Sequence, residues 1–305
     1  MIYTLTLNPA LDYVIRVDDF QTGQMNRIRE EHIYYGGKGI NVSAILRELN
    51  TESCALGFAA GFTGQQLEKG LQAKRIRTDF LFVRKGMTRI NIKMKSNDET
   101  EINGQGPQIE ADEMEALIEK IRRIQAGDWF VISGNMPASL PSDAYTRILD
   151  ALDRDVCLIV DAENELVRQA LAYRPFLIKP NKEELETFFQ TRLEDPSQII
   201  ACAKQLQDMG ASNVLVSLAQ QGSLLIDRQG HVVSQPTLKG TIVNSVGAGD
   251  SMVAGVLAAL AQQKDWQTAL RWGTACGAAT AFHSGLATGD QIKECLRELE
   301  SLSKG

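Results

Sequence analysis

The sequence predicts an α/β protein with a mostly parallel sheet, helices on both of its faces, and a small additional β-sheet. Beyond about residue 110, amphipathic helical stretches alternate with short apolar runs, which is typical of buried parallel strands. A glycine cluster at 36–39 leads directly into a helical pattern. Two earlier β-prone patches, at about 11–35 and 86–105, are too small to form their own core. We therefore expect a single domain over residues 1–305, with these patches as a lid.

The helix after the glycine cluster is the clearest element in the first part of the chain. Residues 3–7 precede it and have strand character. The apolar residues of the helix recur at i, i+3, i+4 and i+7. They are Val42, Ile45, Leu46 and Leu49.

Residues 88–95 alternate between apolar and polar side chains, which indicates a half-buried strand. We expect one face to pack, and it carries Ile90, Ile92 and Met94. The other face meets water or ligand, and it carries Arg89, Asn91, Lys93 and Lys95. Residues 96–99 then turn the chain back, as in a hairpin.

Four apolar runs in the second part of the chain end in polar residues. Ligands of open α/β sheets bind beyond the carboxyl ends of the strands, so we expect these residues to line one crevice. They are Ser133, Asp161, Lys179 with Asn181, and Ser217. Helical spacing near the first run is clearest at Met114, Leu117, Ile118 and Ile121. Residues 193–198 indicate a surface connection.

Composition and charge exclude several classes of partner. The chain has 32 Lys+Arg against 38 Asp+Glu, a formal net charge of −6, and so no broad basic field for nucleic acid or an anionic membrane. The 5 cysteines lack metal-ligand spacing, which indicates reduced packing residues. The first 20 residues lack a basic leader and are interrupted by Asn8, Pro9 and Asp12, so we expect neither a signal peptide nor a membrane span. We therefore expect a cytoplasmic protein.

The turn Gly247-Ala248-Gly249 precedes an apolar helix and offers backbone N–H groups to an anion. It matches neither the dinucleotide fingerprint nor the Walker A loop. Asp250, which follows it, has two interpretations. It is either an N-cap of the helix, which an isolated turn of this kind favours, or a base that accepts a proton from an attacking hydroxyl.

The second glycine cluster, at 36–39, contains Lys38 and is followed by Asn41. It suits a phosphate or a polyhydroxylated ligand. A tight turn with a solvated lysine is an equally good interpretation of this motif taken alone.

Together the motifs resemble those of the ribokinase-like PfkB carbohydrate kinases. "GGKGINVS" and "NSVGAGDSMVAG" are similar to the paired glycine motifs of that family, and "KPNKEE" is similar to its N-x-x-E element. "TLNPALDY", "TRIN" and "ETEINGQGP" narrow the resemblance to the hexose-phosphate kinases. This implies a Rossmann-like kinase domain that transfers the ATP γ-phosphoryl group to a sugar phosphate. The 6-hydroxyl of fructose 1-phosphate is the expected acceptor, with tagatose 6-phosphate and fructose 6-phosphate as alternative substrates.

The resemblance also implies roles for individual residues. Asp250 would be the general base, with Gly247, Ala248 and Gly249 as the anion hole. The sugar would be bound by Asp12, Gly37, Lys38 and Asn41, and its phosphate by Arg89 with Arg27 as a further candidate cation. A guanidinium suits phosphate because it can donate two parallel hydrogen bonds.

On the nucleotide side, the resemblance implies that Asn181 and Glu184 organise Mg²⁺, in part through water molecules. Lys179 precedes them at the same strand end. The run Ser217, Leu218, Ala219, Gln220, Gln221 and Gly222 would lie against ATP, with Gly222 allowing close approach. Taken alone, Glu184 is better explained as an acid in the first turn of a helix.

Two segments depart from the family pattern and bear on sugar specificity. Asn135 stands where serine is frequent, and residues 162–164 replace a frequent Ser-Gly pair. A non-catalytic sugar-phosphate sensor on the same fold is the alternative from a different functional class. The lid strand at 88–95 also suggests a homodimer through the lid.

Overall fold

Two β-sheets organise the chain. The computed structural model describes residues 1–134 and 136–302. The strands are β1 (Ile2–Thr6), β2 (Ala10–Arg16), β3 (Glu30–Gly36), β4 (Ser53–Ala60), β5 (Arg77–Thr78), β6 (Leu81–Val83), β7 (Arg89–Lys95), β8 (Glu99–Asn103), β9 (Trp129–Gly134), β10 (Cys157–Ala162), β11 (Leu177–Ile178), β12 (Asn213–Ser217), β13 (Ser223–Ile226) and β14 (Val232–Gln235). The helices are α1 (Lys38–Glu48), α2 (Gly61–Ala73), α3 (Ala111–Ile121), α4 (Ala144–Asp150), α5 (Asn164–Leu171), α6 (Lys182–Phe189), α7 (Pro196–Asp208), α8 (Ala248–Ala261), α9 (Trp266–Ala281) and α10 (Gly289–Leu302).

The large sheet has the order β14-β13-β12-β11-β10-β9-β1-β4-β5, with β6 paired to β4. Its pairs are parallel from β12 to β5, and β13 and β14 extend it as antiparallel strands. Helices α3 to α7 pack on one face, and α1 with α8 to α10 pack on the other. Both faces of each central strand are therefore apolar, as the continuous hydrophobic runs predicted.

The elements predicted from helical spacing lie where the sequence placed them. Helix α1 begins directly after Gly37, and Val42, Ile45 and Leu46 are fully buried against the sheet. In α3, the four residues with helical spacing, Met114, Leu117, Ile118 and Ile121, are all buried.

The second sheet has the order β3-β2-β7-β8, and β7 and β8 form the predicted hairpin. Its polar side carries Arg89, Asn91 and Lys93, which line a cavity. Its other side packs on α2 only near the large sheet, where Leu11 joins Leu67 and Leu71. Farther out, a cross-strand row runs over all four strands on this side. The row consists of Ile33, Tyr13, Ile92 and Ile102.

The prediction of a connection at 193–198 is wrong in its second half. Helix α7 begins at Pro196, and the side chain of Asp195 accepts hydrogen bonds from the backbone N–H groups of Ser197 and Gln198. Gln198 in turn accepts a hydrogen bond from the N–H of Asp195. This reciprocal capping box, with proline at the first helical position, starts the helix inside the expected loop.

None of the helices within the described residues combines the length and hydrophobicity that crossing a bilayer requires.

Candidate active site

A cavity of about 510 Å³ lies at the carboxyl ends of the central parallel strands. The predicted strand-end residues all line it, namely Ser133, Asp161, Lys179, Asn181 and Ser217. The second sheet forms the opposite wall, with Asp12, Arg89, Asn91, Lys93 and Asn103. The expectation of a single crevice at the strand ends is therefore confirmed.

Asp250 is a buried carboxyl group at the base of this cavity. It stands in the first turn of α8, whose N-cap is Gly247, and Gly247 has a left-handed backbone with φ of 82°. Asp250 is the third residue of the helix and not its N-cap, and its Oδ2 accepts a hydrogen bond from Asn41 Nδ2 of α1 at 2.8 Å. The interpretation of Asp250 as an N-cap is therefore wrong.

The surroundings of Asp250 favour its protonated form. Burial raises its pKa first, and the negative charge of Asp161 raises it further, to about 7. The hydrogen bond from Asn41 and the positive charges of Lys38 and Lys179 act in the opposite direction. The carboxyl group therefore changes its protonation state near neutral pH, as a base working at that pH must.

Asp161, at the end of β10, joins two cations and is only 2% exposed. Its Oδ1 lies 3.2 Å from Lys179 Nζ and 3.6 Å from Lys38 Nζ. Burial alone would raise its pKa, but the two lysines, Lys179 first, hold the pKa below its ordinary value. The cavity thus contains a charged carboxylate beside Asp250. Sequence reasoning placed Asp161 in the crevice but missed this central position.

Lys179 stands against the glycine turn. A Cβ added at Gly249 would lie 3.2 Å from Lys179 Nζ. The lysine side chain is 5% exposed, so its charge is held close to the N-terminus of α8. A buried ammonium group and free N–H groups together favour an anion at this point.

Asn181 and Glu184 form the N-terminus of α6. Asn181 Oδ1 accepts from the N–H of Glu184 at 2.7 Å, and Glu184 Oε2 accepts from the N–H of Asn181 at 2.8 Å. The interpretation of Glu184 as a first-turn acid is thus correct, and both residues also line the cavity. Within residues 1–134 and 136–302, no group of three His, Cys, Asp or Glu side chains is arranged to hold a metal ion.

The structure does not bring every predicted residue into the cavity. Gly37, Lys38, Asn41 and Gly249 line it, whereas Ala248 does not, and Arg27 is exposed in the segment between β2 and β3. The residues that follow Ser217 also lie outside its lining, namely Leu218, Ala219, Gln220, Gln221 and Gly222.

Gly222 has a structural reason to be glycine. Its φ is +95°, and a Cβ there would lie 2.1 Å from the carbonyl oxygen of Gln235 on β14. Close packing against a neighbouring strand is therefore sufficient to require glycine at this position. Asn135, which departs from the family pattern, lies outside the described residues.

Several residues that line the cavity were not among the predicted site residues, above all Asn91 and Lys93. The alternation of apolar and polar residues in β7 correctly assigned both to its polar face and could have identified them. Asn91 Nδ2 donates to Asp12 Oδ1 at 2.7 Å and so orients that carboxylate.

Three buried side-chain atoms near the cavity have no hydrogen-bond partner among the described residues, namely Asn8 Oδ1, Ser133 Oγ and Asp161 Oδ2. Such atoms suit polar groups of a ligand or water molecules.

Comparisons with known proteins agree with this geometry. The family described as "pfkB family carbohydrate kinase" matches residues 5–293. The chain is 42% identical to 1-phosphofructokinase of Bacillus subtilis over 301 residues, which cover 98% of this chain and 99% of that protein. It is 36% identical to D-tagatose-1-phosphate kinase of Bacillus licheniformis over 302 residues, which cover 98% of this chain and 99% of that protein.

A solved structure of a phosphofructokinase has the same fold as this chain. The fold superposes on phosphofructokinase-2 from Escherichia coli, solved with substrates and products, with a TM-score of 0.91 and 28% identity. The superposition covers 98% of this chain and 99% of that one. The predicted α/β fold is confirmed, and since the family match includes both glycine clusters and the N-x-x-E element, the chain belongs to the pfkB family of carbohydrate kinases.

Proposed function

We propose that this kinase is a 1-phosphofructokinase, which transfers the γ-phosphoryl group of ATP to the 6-hydroxyl of fructose 1-phosphate. The products are fructose 1,6-bisphosphate and ADP. The observation that carries the proposal is the position of Asp250, a buried carboxyl oriented by Asn41 where the glycine turn meets the cavity.

Asp250 acts as the base in its ionised form. The 6-oxygen of the sugar attacks the γ-phosphorus, the new O–P bond forms, and the bond to the β-phosphate oxygen breaks. The hydroxyl proton passes to Asp250, and ADP leaves with the bonding electron pair. The N–H groups of Gly247 and Gly249 and the ammonium of Lys179 stabilise the negative charge on the transferred group, whereas the N–H of Ala248 donates to the carbonyl oxygen of Ser245.

The nucleotide lies on the side of the cavity that holds Ser217 and Lys179. Mg²⁺ would shield the phosphate oxygens of ATP, held by Glu184 and Asn181. The donor set fits this ion, because oxygen ligands face the cavity while most of its coordination is left to water and phosphate. The capping box keeps both side chains in place at the start of α6.

The sugar lies against the second sheet, which acts as a lid. Asp12, held by Asn91, binds sugar hydroxyls, and Gly37, Lys38 and Asn41 complete the contact from α1. Closure of the lid would exclude water, so that the bound hydroxyl reacts in place of water.

The test is a comparison of kcat/KM on fructose 1-phosphate, fructose 6-phosphate, tagatose 6-phosphate and tagatose 1-phosphate. We expect fructose 1-phosphate to give the highest value. Tagatose 1-phosphate is the second candidate, because a relative with 36% identity bears the name of that activity. A preference for either 6-phosphate would overturn the proposal. No turnover with any of these sugars would favour the non-catalytic sensor.

We also propose that two copies of the chain pair through their lids. The cross-strand row on the outer side of the lid exposes apolar surface, with Ile33 58% and Ile102 60% exposed. Exposed apolar surface of this kind favours association.

Ile33→Glu is expected to convert a dimer into a monomer, because it places a charge at one end of the apolar row, on an exposed residue of the edge strand β3. The measurement is molar mass by light scattering, against the chain mass of 33.6 kDa. Met209→Glu is the matched control, because Met209 is also an exposed apolar residue but follows α7, away from the lid. A wild-type protein that is monomeric at high concentration would refute the pairing.

A further inference from the structure

Arg89 is a half-buried cation without a carboxylate partner. Its Nε donates to the carbonyl oxygen of Asn8 at 3.1 Å, and no acid among residues 1–134 and 136–302 lies within ion-pair distance. Burial lowers the pKa of its guanidinium, against a weaker opposite effect of Asp12. A cation kept in this position is best stabilised by an anion that enters the cavity.

Lys93 projects from the same face of β7 four residues farther along. It lines the cavity, and its side chain is 21% exposed. Its nearest acid is Glu101 on β8, with Nζ and Oε1 3.7 Å apart. That separation exceeds hydrogen-bond length, so the ammonium keeps donors free for a ligand.

Lys95 provides an internal comparison. It follows Lys93 on the same face of the same strand and has an equivalent cross-strand acid, Glu99, with Nζ and Oε1 again 3.7 Å apart. Its side chain, however, is 53% exposed and lies outside the cavity lining. The two lysines therefore differ in their access to the cavity and not in residue type, strand or partner.

The lid side of the cavity offers more unengaged positive than negative charge. Asp12 keeps its negative charge, because Asn91, which donates to it at 2.7 Å, is neutral, whereas Glu101 is 53% exposed and lies outside the cavity lining. Arg89 and Lys93 are left as cations without a hydrogen-bonded acid. Arg27, which the sequence suggested as the further cation, does not reach this surface.

We propose that Lys93 is a specificity-determining residue that, together with Arg89, binds the phosphate group already present on the sugar. This inference rests on the proposed sugar-phosphate kinase activity and goes beyond it by assigning the preference for phosphorylated over free ketohexose to a lid lysine. A phosphate dianion at this position meets an arginine that donates in parallel and a lysine that acts as a point charge.

The test compares Lys93→Met with Lys95→Met. Methionine keeps most of the length of lysine and removes only the charge. Loss of a charged hydrogen bond is expected to raise KM for fructose 1-phosphate by roughly 10- to 100-fold in Lys93→Met. The kcat and the KM for ATP should stay at their wild-type values. Lys95→Met should match the wild type in all three constants.

A second readout uses free fructose, which lacks the phosphate. In Lys93→Met, kcat/KM for fructose should be unchanged, so the preference for the phosphorylated sugar falls by the same factor as its affinity. An unchanged KM for fructose 1-phosphate, or an equal effect in Lys95→Met, would overturn the inference. So would an effect on kcat or on the KM for ATP alone.

The wild-type enzyme separates this inference from the proposed function. If it prefers another ketohexose phosphate, the proposed substrate is wrong, and the two lysine variants are then compared on the preferred sugar. Calorimetric binding of that sugar to the Asp250→Asn protein, with and without Lys93→Met, gives affinity without turnover. A weaker affinity in the double variant supports the role of Lys93, and an equal affinity refutes it.

Discussion

Replacing Asp250 by asparagine is expected to lower kcat by roughly 10²- to 10⁴-fold, the usual contribution of a positioned general base. Asparagine has nearly the same shape but cannot accept the proton of the attacking hydroxyl. The hydrogen bond from Asn41 can still be accepted by the amide oxygen, so the site should keep its geometry. Binding of the sugar phosphate should therefore survive, as calorimetry would show.

Asp265→Asn is the matched control. Asp265 is a genuine N-cap, because its Oδ1 accepts from the N–H of Thr268 at 2.8 Å at the start of α9. Asparagine caps helices as well as aspartate does, so kcat should be unchanged. A wild-type kcat in Asp250→Asn would refute the assignment of the base, and an equal loss in both variants would point to a general effect on the fold.

The pH dependence follows from the raised pKa of Asp250. Because the base must be ionised, kcat/KM should increase with pH and level off above about 7, the pKa of Asp250. Asp161→Asn removes the neighbouring negative charge, which should lower the pKa of Asp250 and move the rise of kcat/KM to lower pH. The effect of pH on the stability of the fold has the opposite direction from its effect on kcat/KM. Protonated Asp250 is favoured in the folded state, so its contribution is present at low pH and is lost as the pH rises through about 7.

Lys179→Met is expected to destabilise the protein by about 3–5 kcal/mol, because it leaves Asp161 buried with a much weaker partner. Lys179 and Asp161 are 5% and 2% exposed, and their ion pair spans 3.2 Å. Lys38 is the remaining cation, at 3.6 Å and 42% exposed. Urea unfolding followed by circular dichroism gives the free energy of unfolding. The kcat should fall as well, because in the proposed mechanism Lys179 stabilises the transferred group.

Lys182→Met is the matched control for Lys179→Met. Lys182 lies three residues after Lys179 and pairs with Glu186 at 3.9 Å, but its side chain is 39% exposed. An ion pair of that kind contributes only about 0–1 kcal/mol. Equal free energies of unfolding for Lys179→Met and the wild type would show that the Asp161 pair does not stabilise the fold.

Much of the site was predictable because a general rule connects sequence to position. Polar residues at the ends of parallel strands converge whatever the details of packing, so Ser133, Asp161 and Lys179 could be placed together from their apolar runs. The alternation of β7 likewise indicated which side chains face the cavity. These predictions depend on the period and direction of strands, and both can be inferred from residue order.

Other features depend on distances that residue order does not contain. Alternation assigned Lys93 and Lys95 to one face, but only the path of the hairpin decides which of them reaches the cavity. Arg27 is a plausible cation by type, yet it is exposed and lies outside the cavity lining. Gly222 is required by the backbone of β14, a contact made 13 residues later in the chain.

The hydrogen bond between Asn41 and Asp250 joins residues that lie 209 positions apart. Asn41 is synthesised early and Asp250 late, so the carboxyl group that we propose as the base can meet its partner only when the chain through α8 is present. The proposed site is complete only when α8 packs on α1. A chain that ends before α8 should therefore lack the proposed phosphoryl transfer.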